Sequence, residues 1–161
     1  MKQRILIFFI CIVQLSPLFS ESMDRFFSQY NFRFISETAG LPYSFVSDIF
    51  KDSEGYVWVA THNGISRYDG YQFLNYGTQT NPVCLKNNFI HKVCEDNFRR
   101  LWIASEGGID ILNLDTYALV ELPVPSDSPL RKLMNGNIST IYKDKQGDVW
   151  ISANKDLWCI E

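Results

Sequence analysis

The sequence predicts an all-β protein, and three observations carry that reading. Apolar residues recur two apart around Trp58, Trp102 and Trp150, the pattern of strands with one face turned inward. β-branched residues dominate the same stretches, and aromatics, which strands favour, make up 15% of the chain. Turn-forming groups such as His62-Asn63-Gly64 and Asp69-Gly70 separate the apolar runs.

The runs are copies of one another. Three segments align without gaps: "FVSDIFKDSEGYVWVATHNGI" from Phe45, "FIHKVCEDNFRRLWIASEGGI" from Phe89 and "NISTIYKDKQGDVWISANKDL" from Asn137. Asp52, Asp96 and Asp144 each precede their tryptophan by six residues. Val46, Ile90 and Ile138 share a column, as do Ile49, Val93 and Ile141. The tryptophans lie 44 and then 48 residues apart. A strand-rich repeat with a period in the 40s is the mark of a β-propeller blade.

The first copy sets the expected strand plan. Strand A covers Val46 to Lys51, and Asp52-Ser53-Glu54-Gly55 turns the chain, with Asp opening the turn and Gly supplying the positive φ that closes it. Strand B covers Tyr56 to Thr61, strand C Ile65 to Tyr68 and strand D Gln72 to Tyr76. A loop from Gly77 to Asn88 leads to the next copy. In the second copy Arg99 replaces the turn glycine, and the third stops at Glu161 before its fourth strand. Upstream, Asn31 to Ile35 reads as the outer strand of a preceding blade.

The N-terminus "MKQRILIFFICIVQLSPLFSES" has Lys2 and Arg4, then an apolar core from Ile5 to Val13, then Pro17, Ser20 and Ser22. That is the layout of a secretory signal peptide. A transmembrane anchor is the competing reading, but the apolar core is well short of the ~20 residues a span requires. The expected chain plan is a signal peptide (1–20), a lead-in with an outer strand (21–44), blade 1 (45–88), blade 2 (89–136) and a partial blade 3 (137–161). The net charge of −3 gives no basic footprint for nucleic acid. Cys84, Cys94 and Cys159 show no C-x-x-C spacing and read as small buried apolar residues.

The recurring residues have structural readings. Asp52, Asp96 and Asp144 sit where a side-chain acceptor would hold a hairpin turn. Trp58, Trp102 and Trp150 sit mid-strand and read as core between blades. No metal-ligand set, cofactor motif, or group of nucleophile, base and orienting residue stands out, so no catalytic residue, metal or cofactor is expected. In an up-and-down blade the B-to-C tips and D-to-A loops share one rim, and rim loops on a rigid scaffold are where binding residues collect. The tips carry His62, Asn63, Glu106, Asn154 and Lys155; the loops carry Tyr43, Lys86, Asn87, Arg131 and Lys132, with Asn88 following Asn87. A polar rim of mixed charge with an aromatic suits a hydroxylated or partly anionic ligand such as an oligosaccharide. An exported enzyme acting on polysaccharides is the alternative, and it would need paired carboxylates. A truncated fragment without independent function is a third.

The stretch "GLPYSFVSDIFKDSEGYVWVATHNGISRYDGYQFLNY" resembles the two-component regulator propeller repeats of bacterial hybrid sensor kinases. Blade 2 lacks the Arg-Tyr-Asp-Gly end, and blade 3 has Asp156 where the glycine would stand. The resemblance covers residues from about 30 to 161. It implies a periplasmic, glycan-responsive sensor whose full-length form is anchored in the inner membrane of a Gram-negative bacterium. It implies further blades or another subunit to complete the fold, dimerisation through the wider sensor, and a kinase outside this chain. The chain reads as an N-terminal piece of such a sensor or a truncated copy. The mature chain would then have no membrane span and no enzymatic activity of its own.

Overall fold

The computed structural model describes residues 30–125 and 127–161, so the expected signal peptide, its apolar core and Cys11 lie outside the described residues. Ile35–Glu161 form one unit, and Tyr30 to Phe34 belong to another. Eleven strands make three antiparallel sheets of four, four and three strands. Blade 1 holds β1 (Val46–Lys51), β2 (Val57–Thr61), β3 (Gly64–Tyr68) and β4 (Phe73–Tyr76). Blade 2 holds β5 (Ile90–Glu95), β6 (Arg100–Ser105), β7 (Gly108–Asn113) and β8 (Ala118–Leu119). Blade 3 holds β9 (Ile138–Lys143), β10 (Val149–Ala153) and β11 (Asp156–Ile160). Within each sheet, strands pair in sequence order, which is the meander of a propeller blade.

Each A-to-B hairpin is built around its aspartate. Asp52 Oδ1 accepts the backbone N–H groups of Glu54 and Tyr56 at 3.0 and 2.9 Å. Its Oδ2 accepts the Trp58 indole N–H at 2.8 Å. Asp96 does the same for Phe98, Arg100 and Trp102, and Asp144 for Gln146, Asp148 and Trp150. The residue that closes the turn has positive φ in every copy: 97° at Gly55, 58° at Arg99 and 105° at Gly147. Arg99 accepts a left-handed backbone that disfavours side chains. Its guanidinium then bonds Asp115, Ser53 Oγ and Glu54, the last two on blade 1.

The tryptophans point the other way from their strand neighbours, so each sheet has two apolar faces. Trp58, Ala60, Ile65 and Tyr76 of blade 1 cluster with Val93, Leu101, Ile103 and Leu112 of blade 2. Trp102, Ala104, Ile109 and Ile111 of blade 2 cluster with Ile141, Val149 and Ile151 of blade 3. Trp58 and Trp102 are 0% and 1% exposed, whereas Trp150, expected in the core, is 36% exposed. The reason is plain: no described blade packs on that face of β10. Polar bonds add to the seam between blades 1 and 2, where Glu95 accepts both the N–H and the hydroxyl of Ser53, and Asp48 pairs with Lys92 at 2.6 Å.

Three expectations need correction. Asn31–Ile35 forms no strand, since no described strand pairs with it. Cys84 and Cys159 are exposed; only Cys94 is buried, and burial pushes its thiol up to about 12. The loop before blade 3 contains a short helix, α1 (Pro129–Met134), whose start is capped by the Ser128 hydroxyl accepting from Leu130 N–H, with Pro129 in the first turn. Every A strand also carries an irregularity at one column, between Val46 and Asp48, between Ile90 and Lys92, and opposite Ser152/Ala153 in β9.

Two outcomes follow for stability. Trp102→Phe keeps an aromatic side chain but loses the second ring and a buried N–H bond to a carboxylate, and should cost at least about 1.5–3 kcal/mol in urea unfolding. Trp150→Phe, in the same column but 36% exposed, should cost clearly less. Burial alone would raise the Asp96 carboxyl, but bonds from Trp102, Arg100 and Phe98 outweigh it and hold it below its ordinary 3.8. Its contribution to stability is therefore present above that value and lost as pH falls through the depressed one. Acid titration of unfolding should show that loss below pH 3.8, and Asp96→Asn should flatten it.

Candidate functional site

The rim is assembled from pieces of successive blades. At the first tip, Thr61 Oγ1 accepts the Asn63 N–H at 3.0 Å and donates to the Gly64 carbonyl at 2.8 Å. Gly64 has φ of 100°, and a Cβ there would collide with the Tyr76 carbonyl, so this tip tolerates only glycine. Its N–H reaches into the next loop and bonds the Asn88 carbonyl at 2.7 Å. The His62 ring lies stacked between Phe45 and Phe89, with centroids 4.0 and 3.7 Å away. Asn63 accepts from Asn88 Nδ2 at 3.2 Å.

The second tip repeats the scheme with other residues. Ser105 takes the role of Thr61, bonding the Gly107 N–H and the Gly108 carbonyl. The Glu106 N–H bonds the Phe89 carbonyl as the His62 N–H bonds that of Phe45. Asn87 Oδ1 accepts the Phe89 N–H at 2.7 Å, and its Cβ packs closely on Gly107. At the third tip Asn154 and Lys155 take φ of 52° and 73°, the two left-handed positions of a tight hairpin turn.

Lys86 ties two loops together. Its ammonium donates to the carbonyls of Ile109 at 2.8 Å and Met134 at 3.0 Å. Arg131, on α1, donates to the Val124 carbonyl at 3.2 Å, and Lys132 beside it is exposed. Tyr43 is 44% exposed.

The structure therefore divides the ten sequence-derived candidates. Lys86 and Arg131 line a cleft of about 410 Å³ over blade 2. Asn63 lines a shallower hollow of about 290 Å³ with Asn75, Thr78, Thr80 and Asn88. Tyr43, His62, Asn87, Glu106, Lys132, Asn154 and Lys155 line neither. Asn88, named with its rim loop but not among those ten, bonds both the first tip and the Thr78 N–H. Sequence reasoning missed Asp110 and Glu121, both on the wall of the blade 2 cleft. Among the described residues no cluster of metal-binding side chains occurs, and no helix is long and apolar enough to cross a membrane.

A family model described as two component regulator propeller matches residues 40–63, 84–107 and 132–155. Each match runs from a D-to-A loop through strand A and the Asp–Trp hairpin to a rim tip, the unit just described. The three blades belong to that family. The fold is that of a partial β-propeller. The extracellular domain of a hybrid two-component system from B. thetaiotaomicron superposes with a TM-score of 0.61 at 26% identity, over 80% of this chain and 19% of that one. The extracellular domain of another hybrid system from B. thetaiotaomicron gives 0.64 at 22% identity, over 74% of this chain and 17% of that one. PorZ, a surface component of the type-IX secretion system of Porphyromonas gingivalis, gives 0.50 at 19% identity, over 70% of this chain and 17% of that one. The regulator propeller thus spans less than a fifth of the length of these structures. No curated protein matches the chain.

The seam at the first tip carries its own expectation. His62→Ala removes one ring from between Phe45 and Phe89, and should lower the unfolding free energy by about 1 kcal/mol. Glu106→Ala, exposed at the equivalent tip position, should leave it nearly unchanged. Paired denaturant titrations check both.

Proposed function

We propose that this chain is the ligand-facing propeller segment of an exported two-component sensor, and that its rim reads an oligosaccharide. The observation that carries the reading is that every matched repeat ends on a rim tip, in blades that resemble the extracellular domain of a hybrid two-component system at 26% identity. The rim presents Tyr43, Asn63, Asn87, Glu106, Arg131, Lys132, Asn154 and Lys155. Donors and acceptors so interspersed suit a ligand rich in hydroxyl groups. The segment binds and does no chemistry on what it binds.

Signalling then follows from differential affinity. A ligand moves a sensor only by binding one arrangement of its parts better than another. Further blades or another subunit cover the Trp150 face, and the wider sensor dimerises and carries the membrane anchor and the kinase. Export by residues 1–20 places the propeller in the periplasm.

The test is made in the intact sensor with a transcriptional reporter and a panel of oligosaccharides. Replacing Asn63, Glu106 and Lys155 together by alanine should raise the half-maximal glycan concentration by about tenfold or more, the loss of roughly one good polar contact. An unchanged dose–response curve at normal protein level would sink the rim as the recognition surface. A full response to non-carbohydrate inducers alone would sink the oligosaccharide.

A further inference from the structure

We propose that the blade 2 cleft lined by Asp110 and Glu121 is a binding site for a small organic cation, a primary ammonium carried on an apolar body. The cleft of about 410 Å³ lies between β7, the chain after β8, the Cys84–Lys86 loop and α1. That volume is within the ~300–1,000 Å³ of small-molecule sites.

The repeat explains how this cleft differs from the C–D edge of blade 1. In blade 1 the C and D strands pair Ser66 with Asn75, and the Ser66 hydroxyl donates to Asn75 Oδ1 at 2.6 Å. In blade 2 the register runs through Asn113↔Ala118 and Leu112↔Leu119, and the Val120 N–H still reaches the Ile111 carbonyl at 2.8 Å. One step further, Asp110 and Glu121 occupy the columns of Ser66 and Asn75. Two carboxylates have only acceptors and cannot bond each other when ionised. Like charges placed opposite also repel. β8 ends at Leu119, two residues before Glu121, and the D-strand pairing is not continued.

The carboxylates keep capacity for a ligand. Asp110 is only 5% exposed yet lines the cleft. Its Oδ2 accepts the Lys86 N–H at 2.9 Å, and no described residue donates to its Oδ1. Both cations on the cleft wall are turned to carbonyls: Lys86 to Ile109 and Met134, Arg131 to Val124. Neither forms an ion pair with Asp110 or Glu121. Burial pushes the Asp110 carboxyl up, against the lowering effect of the Lys86 N–H bond and the Lys86 ammonium. Ile111, Leu122, Val124 and Met134 supply apolar wall. An anion would meet two carboxylates together with the Lys86 and Arg131 cations, which already donate to carbonyls, and a fully hydroxylated ligand would leave the apolar wall unmatched. Blade 1 carries Ser66 and Asn75 in these columns, so of the two four-stranded blades only blade 2 has the carboxylate pair. The site shares Arg131 with the rim but includes none of the rim tips.

Hexylammonium is the probe, with hexanol and hexanoate as neutral and anionic counterparts, titrated against the full chain by saturation-transfer NMR. Hexylammonium should bind about tenfold more tightly than hexanol, and hexanoate most weakly, as a charge-assisted bond to a shielded carboxylate implies. Asp110→Asn keeps the acceptor for the Lys86 N–H, and Glu121→Gln alters an exposed side chain. Each should weaken hexylammonium by about fivefold or more and leave hexanol unchanged. Equal binding of hexylammonium and hexanol would overturn the proposal, as would preference for hexanoate. If Asp110→Asn fails to fold, Glu121→Gln decides, and unchanged hexylammonium affinity in that folded variant overturns it. No glycan is present, so the outcome is independent of the rim reading.

Discussion

One carboxylate in each blade joins the local turn to the packing between blades. The Asp side chain gives one oxygen to hairpin N–H groups and the other to the indole six residues on. An indole N–H buried without an acceptor would cost about 1–3 kcal/mol. The tryptophan can therefore fill the space between sheets only because the turn has already placed an acceptor beside it. The turn in turn is held by a side chain rather than by backbone alone. Loss of either partner harms both levels of structure, which accounts for the fixed six-residue interval in all three copies.

Much of the fold was legible because it repeats. β1 begins and ends where the first copy predicted, at Val46 and Lys51, since alternation and turn chemistry are local signals. The regular strands of blade 3 follow from the same columns. The sequence was less informative where a single copy departs from the rest. The chain after Leu119 has no counterpart columns, and Cys84 stands in the column of Gly40 and Lys132, which carry no apolar signal, so its expected burial failed. The Asn31–Ile35 stretch has strand composition but no hydrogen-bonded neighbour, and composition cannot supply one. The helix at Pro129 had a readable start in Ser128-Pro129, outweighed by the expectation of loop.

The rim was legible as a region but not as a set of contacts. Which loops lie together follows from blade topology. That His62 stacks between two phenylalanines, or that Lys86 bridges carbonyls from separate segments, depends on how neighbouring sheets are set against each other. Asp110 and Glu121 were hidden for a related reason. They come together through strand register, and Glu121 lies past the last residue of β8. The first tip, moreover, is not an independent loop: Gly64, His62 and Asn63 all bond or stack with residues 87–89 or their neighbours. Whatever displaces that tip also disturbs the junction of two sheets.

Arg99 has a bearing on how such an array could grow. Its guanidinium leaves blade 2 and finds a hydroxyl and a carboxylate on the hairpin before it, Ser53 and Glu54. In the corresponding places of its own hairpin stand Asn97 and Phe98. A tandem duplication of this blade would set Arg99 against an amide and a phenyl ring, and Glu95 would lose the serine that serves it. Though built to one plan, the copies are not interchangeable. Each hairpin carries an address for its predecessor, and gene recombination that shuffled them would be checked by mismatched neighbours rather than by misfolded blades.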